Sequence, residues 1–452
     1  MWKIILLIIG VTGLTGCQRA HLEIFPDLKS PELIESKLTP EQMSADVDAL
    51  IAGAMLRHPD LSKYTDIDAL HDFANSLKEN MTHPMTRVEF FHHIGKLNAK
   101  FADGHAFLIW PYQEYTSLKE QGAKPFPFAV KLTKSNELVI AENYQYQQIK
   151  VEAGQVISSI NGIDVADMLA HLQYYVGGET KRLREHIVAQ RFPIMLWSVY
   201  GYIDNFEIKL QEQTLTLSAS QQWQASQANN EAHYYTKLDK EAGYLYLGHF
   251  DIDPSDFESF IDATFAQLKT DGVSKLVIDI RDNPGGNTDT VSYLASYIAN
   301  KPFRLVSSLQ EKLNHENRGW FNYKGEVGEM LTEQWDEWVQ PIDSENRFSG
   351  EVFLLIGPIT YSAAIVLATG LQDHNFATLV GEETGGFANQ TAQGNLFNLP
   401  NSQLRAYITT RLLVRPSGSL ERAPVMPDIK VEVTVESLVD GGDAALEYIL
   451  AN

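Results

Sequence analysis

The sequence predicts an α/β chain in three parts: a helical N-terminal region, a β-rich module, and a C-terminal core in which strands alternate with helices. Three observations carry that expectation. Behind a Thr-Pro start at Thr39, apolar residues recur at helical spacing in TPEQMSADVDALIAGAMLRHP. From Phe126 the pattern changes to short alternating runs, FAVKLT and ELVIAEN, which suit half-buried strands. From about His233, continuous apolar runs (GYLYLGHF, KLVIDI, VFLLIG, ATLVG) are separated by amphipathic stretches, as in a sheet covered by helices on both faces.

Composition agrees with three packed parts. The 452 residues correspond to about three domains at about 150 residues each. A formal charge of −22, from 36 Lys+Arg against 58 Asp+Glu, opposes approach to nucleic-acid phosphates, so no nucleic-acid partner is expected. Cys17 is the only cysteine, which excludes an intrachain disulfide, a CxxC redox pair and a cysteine-rich zinc site.

At the N-terminus, Lys3 precedes an apolar run from Ile4 to Val11, too short to span a bilayer. Leu14-Thr15-Gly16-Cys17 resembles the lipobox of bacterial lipoproteins, in which the cysteine is acylated and the peptide is cut before it. The expected divisions are a signal peptide at 1–16, a tether at 17–38, a helical domain at 39–122, a β-rich module at 123–220 and the α/β core at 233–452. Lipidation at Cys17 would consume the one thiol. Gln18 in the next position implies, by resemblance to enterobacterial lipoproteins, an outer-membrane protein facing the periplasm.

Helices are predicted from Pro40, over about 67–79 and over about 84–100. In the second part, GQVISSINGIDVADMLAHL places an Asn161-Gly162 turn between a strand and an amphipathic helix. This stretch resembles the carboxy half of a PDZ domain, a fold that adds an extended peptide tail to a sheet edge. An Arg-rich helix is predicted from about Gly177 to Arg191, stopping before Pro193, with strands from there to about Ser218.

Two segments of the third part place reactive residues beyond the carboxyl ends of strands, where α/β sheets carry their sites. In EVFLLIGPITYSAAIVLATGLQD, a strand, a turn and a helix starting at Ser362 put a hydroxyl at a helix N-terminus, where backbone amides stabilise a developing oxyanion. A serine there is also an ordinary helix cap. In KLVIDIRDNPGGNTDT, Gly285 and Gly286 allow the backbone to turn amides toward a ligand, and no nucleotide-binding glycine motif accompanies them.

With ATLVGEETGG, these two segments resemble the catalytic domain of the tail-specific, or C-terminal processing, serine peptidases, over about Gly243 to Val431. The resemblance implies a peptidase core of the ClpP/crotonase type with Ser362 as nucleophile. Members with a Ser–Lys dyad carry a glutamate three residues after the serine and a lysine about 25 after it. Here those positions hold Ile365 and Phe387, and no lysine lies between Lys324 and Lys430, which excludes that mechanism. The other branch, similar to the tricorn core protease and interphotoreceptor retinoid-binding repeats, carries a Gly-His before its PDZ-like module. FADGHA places His105 there.

By the same resemblance Glu421, 59 residues after the serine and ahead of Pro427-Asp428-Ile429, supports the histidine, with Asp103 the less favoured orienting group. A supporting role through another residue or a water is also open. The oxyanion hole would use the amide of Ala363 and that of Gly285 or Gly286, since Pro284 has no N–H. No metal or other cofactor is implied: HExxH is missing, and the adjacent His92 and His93 point to different sides of a helix. The expected function is an envelope serine endopeptidase acting on peptides or proteins, held at the membrane by lipid and selecting substrates by their tails if the PDZ-like module binds them. The alternatives are a non-catalytic binder of peptides or apolar ligands, and a hydrolase of non-peptide esters or amides.

Overall fold

A computed structural model describes residues 25–211, 213–225, 231–319, 323–432 and 442–452. The expected signal peptide, Cys17 and the tether as far as residue 24 lie outside the described residues. Among those described, no helix is long and apolar enough to cross a membrane.

The N-terminal region opens with α1 (Pro40–Arg57), α2 (Ile67–Glu79), α3 (Arg87–Ile94) and α4 (Leu97–Phe101). Thr39 closes a capping box with Gln42, and Pro40 occupies the first turn, where its missing N–H costs nothing. The stretch expected as one helix over about 84–100 is two. Thr86 caps the first, which ends at Gly95, and the second starts after Lys96. Beyond it, β1 (Ala106–Leu108) and α5 (Tyr112–Glu120) lead into the β-rich part.

That part contains β2 (Val130–Leu132), β3 (Leu138–Ile140), β4 (Tyr144–Tyr146), β5 (Ile149–Val151), β6 (Ile157–Ile160) and β7 (Ile163–Asp164). The helices α6 (Val165–Leu172), α7 (Lys181–Gln190) and α8 (Phe192–Tyr200) follow, then β8 (Asn205–Leu210), β9 (Thr214–Ser218) and β10 (Gln224–Ala225). The strands form three small sheets: β2-β3, β10-β4-β5 and β7-β6-β8-β9. The expected return to strands after Arg191 is preceded by α8, because Pro193 falls in that helix's first turn rather than breaking one.

The third part runs β11 (His233–Lys237), β12 (Ala242–Leu247), α9 (Pro254–Asp271), β13 (Lys275–Asp279), α10 (Thr288–Ile298), β14 (Ser308–Lys312), β15 (Met330–Gln334) and β16 (Glu351–Ile356). Then come α11 (Ala363–His374), β17 (Thr378–Gly381), β18 (Gln390–Asn398), β19 (Arg405–Val414), β20 (Ile429–Lys430) and α12 (Ala444–Ala451). The order β11-β12-β13-β16-β17-β20 makes one sheet, parallel except for the β11-β12 pair. Alternation along each strand feeds two cores. Leu276, Ile278, Leu354 and Ile356 join the helices α9, α10 and α11, while Val277, Leu355 and Val380 meet Ala445 and Ile449 of α12.

A second sheet is centred on β19. It pairs with β18 along one edge, and with β1 and β14 along the other. The apolar core of the N-terminal helices is continuous with that of the β-rich part and with Leu399, Leu404, Ala406 and Ile408 of the β18-β19 hairpin. The helical and β-rich parts are thus one body in packing terms, and the hairpin ties that body to the parallel sheet. Asp46 of α1, fully buried, fixes the joint by accepting the backbone N–H groups of Asn401 (2.9 Å) and Ser402 (2.7 Å).

Replacing Asp46 by Ala would leave both buried amides unpaired. The variant should lose about 2–4 kcal/mol of unfolding free energy, measured by urea titration, because each stranded donor costs about 1–3 kcal/mol.

Candidate active site

Ser362 lies between β16 and α11 with φ +53° and ψ −122°, a backbone conformation that costs a non-glycine residue energy. Its side chain does not cap the helix. The hydroxyl is instead aimed at His105, whose Nε2 stands 3.1 Å from Ser362 Oγ. Two bonds hold the strained residue: Tyr361 N–H donates to the Asn283 carbonyl (3.0 Å), and Gln390 Nε2 donates to the Ser362 carbonyl (2.8 Å).

The Asn283-Pro284-Gly285-Gly286 loop packs directly on this turn. A Cβ on Gly285, at φ +102°, would stand 2.6 Å from Ser362 Cβ and 2.9 Å from the Ala363 nitrogen, so only glycine fits. Asn283 is buried; its Nδ2 donates to the Leu247 carbonyl (3.0 Å), which points Oδ1 at the Gly285 N–H (2.8 Å). That bond separates the two glycines. The Gly285 amide is occupied, whereas the Gly286 and Ala363 amides take no partner among the hydrogen bonds of the described residues. Both residues line the same cleft as Ser362.

His105 reaches the serine from a distant part of the chain. Ala102 in the left-handed conformation ends α4, and β1 then pairs with β19; the His105 carbonyl accepts Thr409 N–H at 2.9 Å. Its ring stacks on that of Tyr361, with centroids 4.9 Å apart and planes at 26°. Gly104 makes this possible, since a Cβ there would fall 2.4 Å from Tyr361 Oη. The Nδ1 atom lies 3.2 Å from both Thr391 Oγ1 and Tyr361 Oη.

Those neighbours fix the proton positions. Thr391 Oγ1–H donates to Asp103 Oδ1 (2.8 Å) and Tyr361 Oη–H to Glu179 Oε1 (2.9 Å), so both hydroxyl oxygens are left as acceptors. His105 therefore carries its proton on Nδ1, and its bare Nε2 faces the serine hydroxyl. Asp103 also accepts the His105 backbone N–H (2.7 Å) and the Nε2–H of His58 (2.8 Å). His58 is held in that tautomer because its Nδ1 accepts the Asp60 N–H at 3.1 Å. Both Asp103 and His58 are fully buried.

Burial disfavours the Asp103 carboxylate, yet the His58 hydrogen bond and the neighbouring imidazoles outweigh it and hold its pKa below the ordinary value. Burial depresses the pKa of His105, with Asp103 pulling the other way. At neutral pH the imidazole is accordingly an unprotonated base.

The structure brings Ser362, His105, Asp103, Ala363, Gly285 and Gly286 together. It records no direct contact between Glu421 and His105; on the Nδ1 side the groups in contact are Thr391 and Tyr361. Glu421 is exposed, and its backbone is anchored to Asn389. Its neighbour Arg422, also exposed, lies 4.2 Å over the Tyr64 ring, which packs edge-on against His58. Sequence reasoning ranked Asp103 second and missed Thr391, Tyr361, Glu179, His58 and Asn283. Only Asn283 and Tyr361, beside motifs already singled out, carried a local signal.

Next to the serine lies a cavity of about 230 Å³ walled by Leu305, Val306, Leu309, Val366, Leu413 and Trp335. Among the described residues no group of three or more His, Cys, Asp and Glu side chains is placed to hold a metal ion.

Residues 241–431 match peptidase family S41. A carboxy-terminal-processing protease of Bartonella bacilliformis is 28% identical over 212 residues, which is 46% of this chain and 43% of that protein. A carboxyl-terminal-processing protease of a Picosynechococcus species is 27% identical over 220 residues, 47% of this chain and 46% of that one. The matches therefore span less than half the length of either relative. The crystal structure of mature CPAF shares the fold, with a TM-score of 0.67 at 14% identity over 91% of this chain and 96% of that one.

In ¹⁵N-histidine spectra, His105 should appear as the Nδ1–H tautomer and titrate below the ordinary histidine pKa of about 6.5. Asp103→Asn should move that midpoint lower still, because the lost charge is the one that raises it.

Proposed function

We propose, from the premise that residues 241–431 form a peptidase family S41 domain, that this chain is a serine endopeptidase. The observation that carries the reading is the 3.1 Å contact between Ser362 Oγ and the unprotonated Nε2 of His105. Ser362 Oγ attacks the scissile carbonyl carbon while its proton passes to Nε2. The carbonyl oxygen, now negative, is received by the free amides of Gly286 and Ala363. The imidazolium is steadied through Nδ1–H by Thr391, whose hydroxyl is oriented by Asp103. Collapse breaks the C–N bond, Nε2–H protonates the leaving amine, and an acyl-Ser362 ester remains. Water, deprotonated by the same Nε2, then releases the acid and regenerates the hydroxyl.

Asp103 in this scheme takes the part first expected of Glu421. The apolar cavity beside the serine suits a large apolar side chain next to the cleaved bond. The names of the carboxy-terminal-processing relatives support attack near a substrate's tail, for which the PDZ-like stretch would be the receiving edge. The lipobox ending at Cys17 supports a lipid-anchored protein of the bacterial envelope, on the periplasmic face of the outer membrane.

A fluorophosphonate probe should label the wild type and not Ser362→Ala, and equal labelling of both would end the proposal. Asp103→Asn should lower kcat/KM by about 10²- to 10⁴-fold, while Glu421→Gln stays within about threefold of the wild type. The acid limb of kcat/KM should inflect below about pH 6.5, because the depressed His105 has shed its proton before that point.

A further inference from the structure

The imidazole of His105 is touched on its Nδ1 side by two hydroxyls, and the proposed mechanism uses only one of them. The other belongs to Tyr361, the residue just before the nucleophile. Its ring lies flat against His105, and its hydroxyl sits 3.2 Å from Nδ1 and donates to Glu179 Oε1 at 2.9 Å. Glu179 stands just ahead of Thr180, the cap of α7. Thr180 Oγ1 donates to the Gly385 carbonyl at 2.8 Å, so the segment is pinned to the peptidase domain. The arrangement repeats, at the same nitrogen, what Thr391 and Asp103 provide: a hydroxyl backed by a carboxyl, the two hydroxyls sharing the one Nδ1–H.

We propose that Glu179 is a positioning residue that acts on His105 through the Tyr361 hydroxyl, as a second arm beside Asp103 and Thr391. The proposal rests on the reading of His105 as the base for Ser362.

The two arms differ in charge. Asp103 has three donors and stays ionised. Glu179 is enclosed at its carboxyl tip, and burial, followed by the charge of nearby Asp103, pushes its pKa up to about 8. Tyr361 and Tyr64 also face it, and Arg184 of α7 is its cationic neighbour, with Arg422 beyond Tyr64. Near neutral pH the ring therefore meets one anion. As pH rises through about 8, Glu179 loses its proton and the imidazolium that forms during attack meets two. Base catalysis should strengthen in that window, above the pH at which His105 itself has already become neutral.

The test compares the full-length wild type with Glu179→Gln and Tyr361→Phe, both near-isosteric, between pH 5.5 and about 9.5. The readouts are fluorophosphonate labelling rate and the ¹⁵N shifts of His105, assigned by their loss in His105→Asn. The wild type should show a second rise in labelling of about three- to tenfold centred near pH 8, with an inflection of the His105 shifts at the same pH. Both variants should lose rise and inflection together, and both should be impaired more at pH 9 than at pH 6. Glu179→Asp should keep an inflection. A second rise that survives in Glu179→Gln, or wild-type His105 shifts flat across pH 7–9, would overturn the proposal. Loss of labelling at every pH with the shift inflection intact would overturn the peptidase reading and support the second arm.

Discussion

One buried carboxylate organises this molecule. Asp103, sealed from solvent, gathers an imidazole from the end of α1, a hydroxyl from β18 and the backbone amide of the histidine turn. An isolated carboxylate in that place would be pushed toward neutrality at a cost of several kcal/mol. His58 and the histidine turn hold it in its charged form, and the third donor, Thr391, reaches it from 288 residues away. The N-terminal helices, the histidine turn and the β18-β19 hairpin thus share one electrostatic obligation, and the shared apolar core meets the same requirement by packing. The contact between His105 and Ser362 follows from this docking rather than from residues 241–431 alone.

The nucleophile side is arranged differently. There the constraint is steric: Ser362 occupies a backbone conformation that few residues tolerate, and Gly285 leaves no room for anything but itself against it. Asn283 fastens one glycine amide and so leaves the next one free. Charge positions His105 and close packing positions Ser362, and the two halves meet across a single 3.1 Å contact.

Much of this was legible in the chain. The alternation of apolar strands with helices foretold the parallel sheet, because a strand buried on both faces must be apolar throughout. The junction before α11 pointed to Ser362, and Asp-Gly-His pointed to a turn that presents a histidine. What could not be read was anything that depends on distant segments meeting. Thr391, Glu179 and His58 have no motif around them, and Tyr361, though beside the serine, gives no sign of its distant partners. Glu421 was favoured by family resemblance, at a matching distance from the serine, and a match in sequence does not say which way a loop residue faces. In that loop it is Arg422, exposed as well, that lies over the rings of Tyr64 and Phe387. The break at Gly95 and the start of α8 at Phe192 were obscured for a smaller reason: caps and first-turn prolines shift helix ends without disturbing the apolar pattern.

The pairing of β1 with β19 has a consequence for biosynthesis. The base is made early and the nucleophile late, and the strand that holds the histidine turn in place emerges later still. A chain growing from its N-terminus contains His105 long before any hairpin exists to seat it, and it contains Ser362 before Thr391 and Thr409 can lock the ring. Until β18 and β19 have been made, the contact between His105 and Ser362 lacks the strands that hold it.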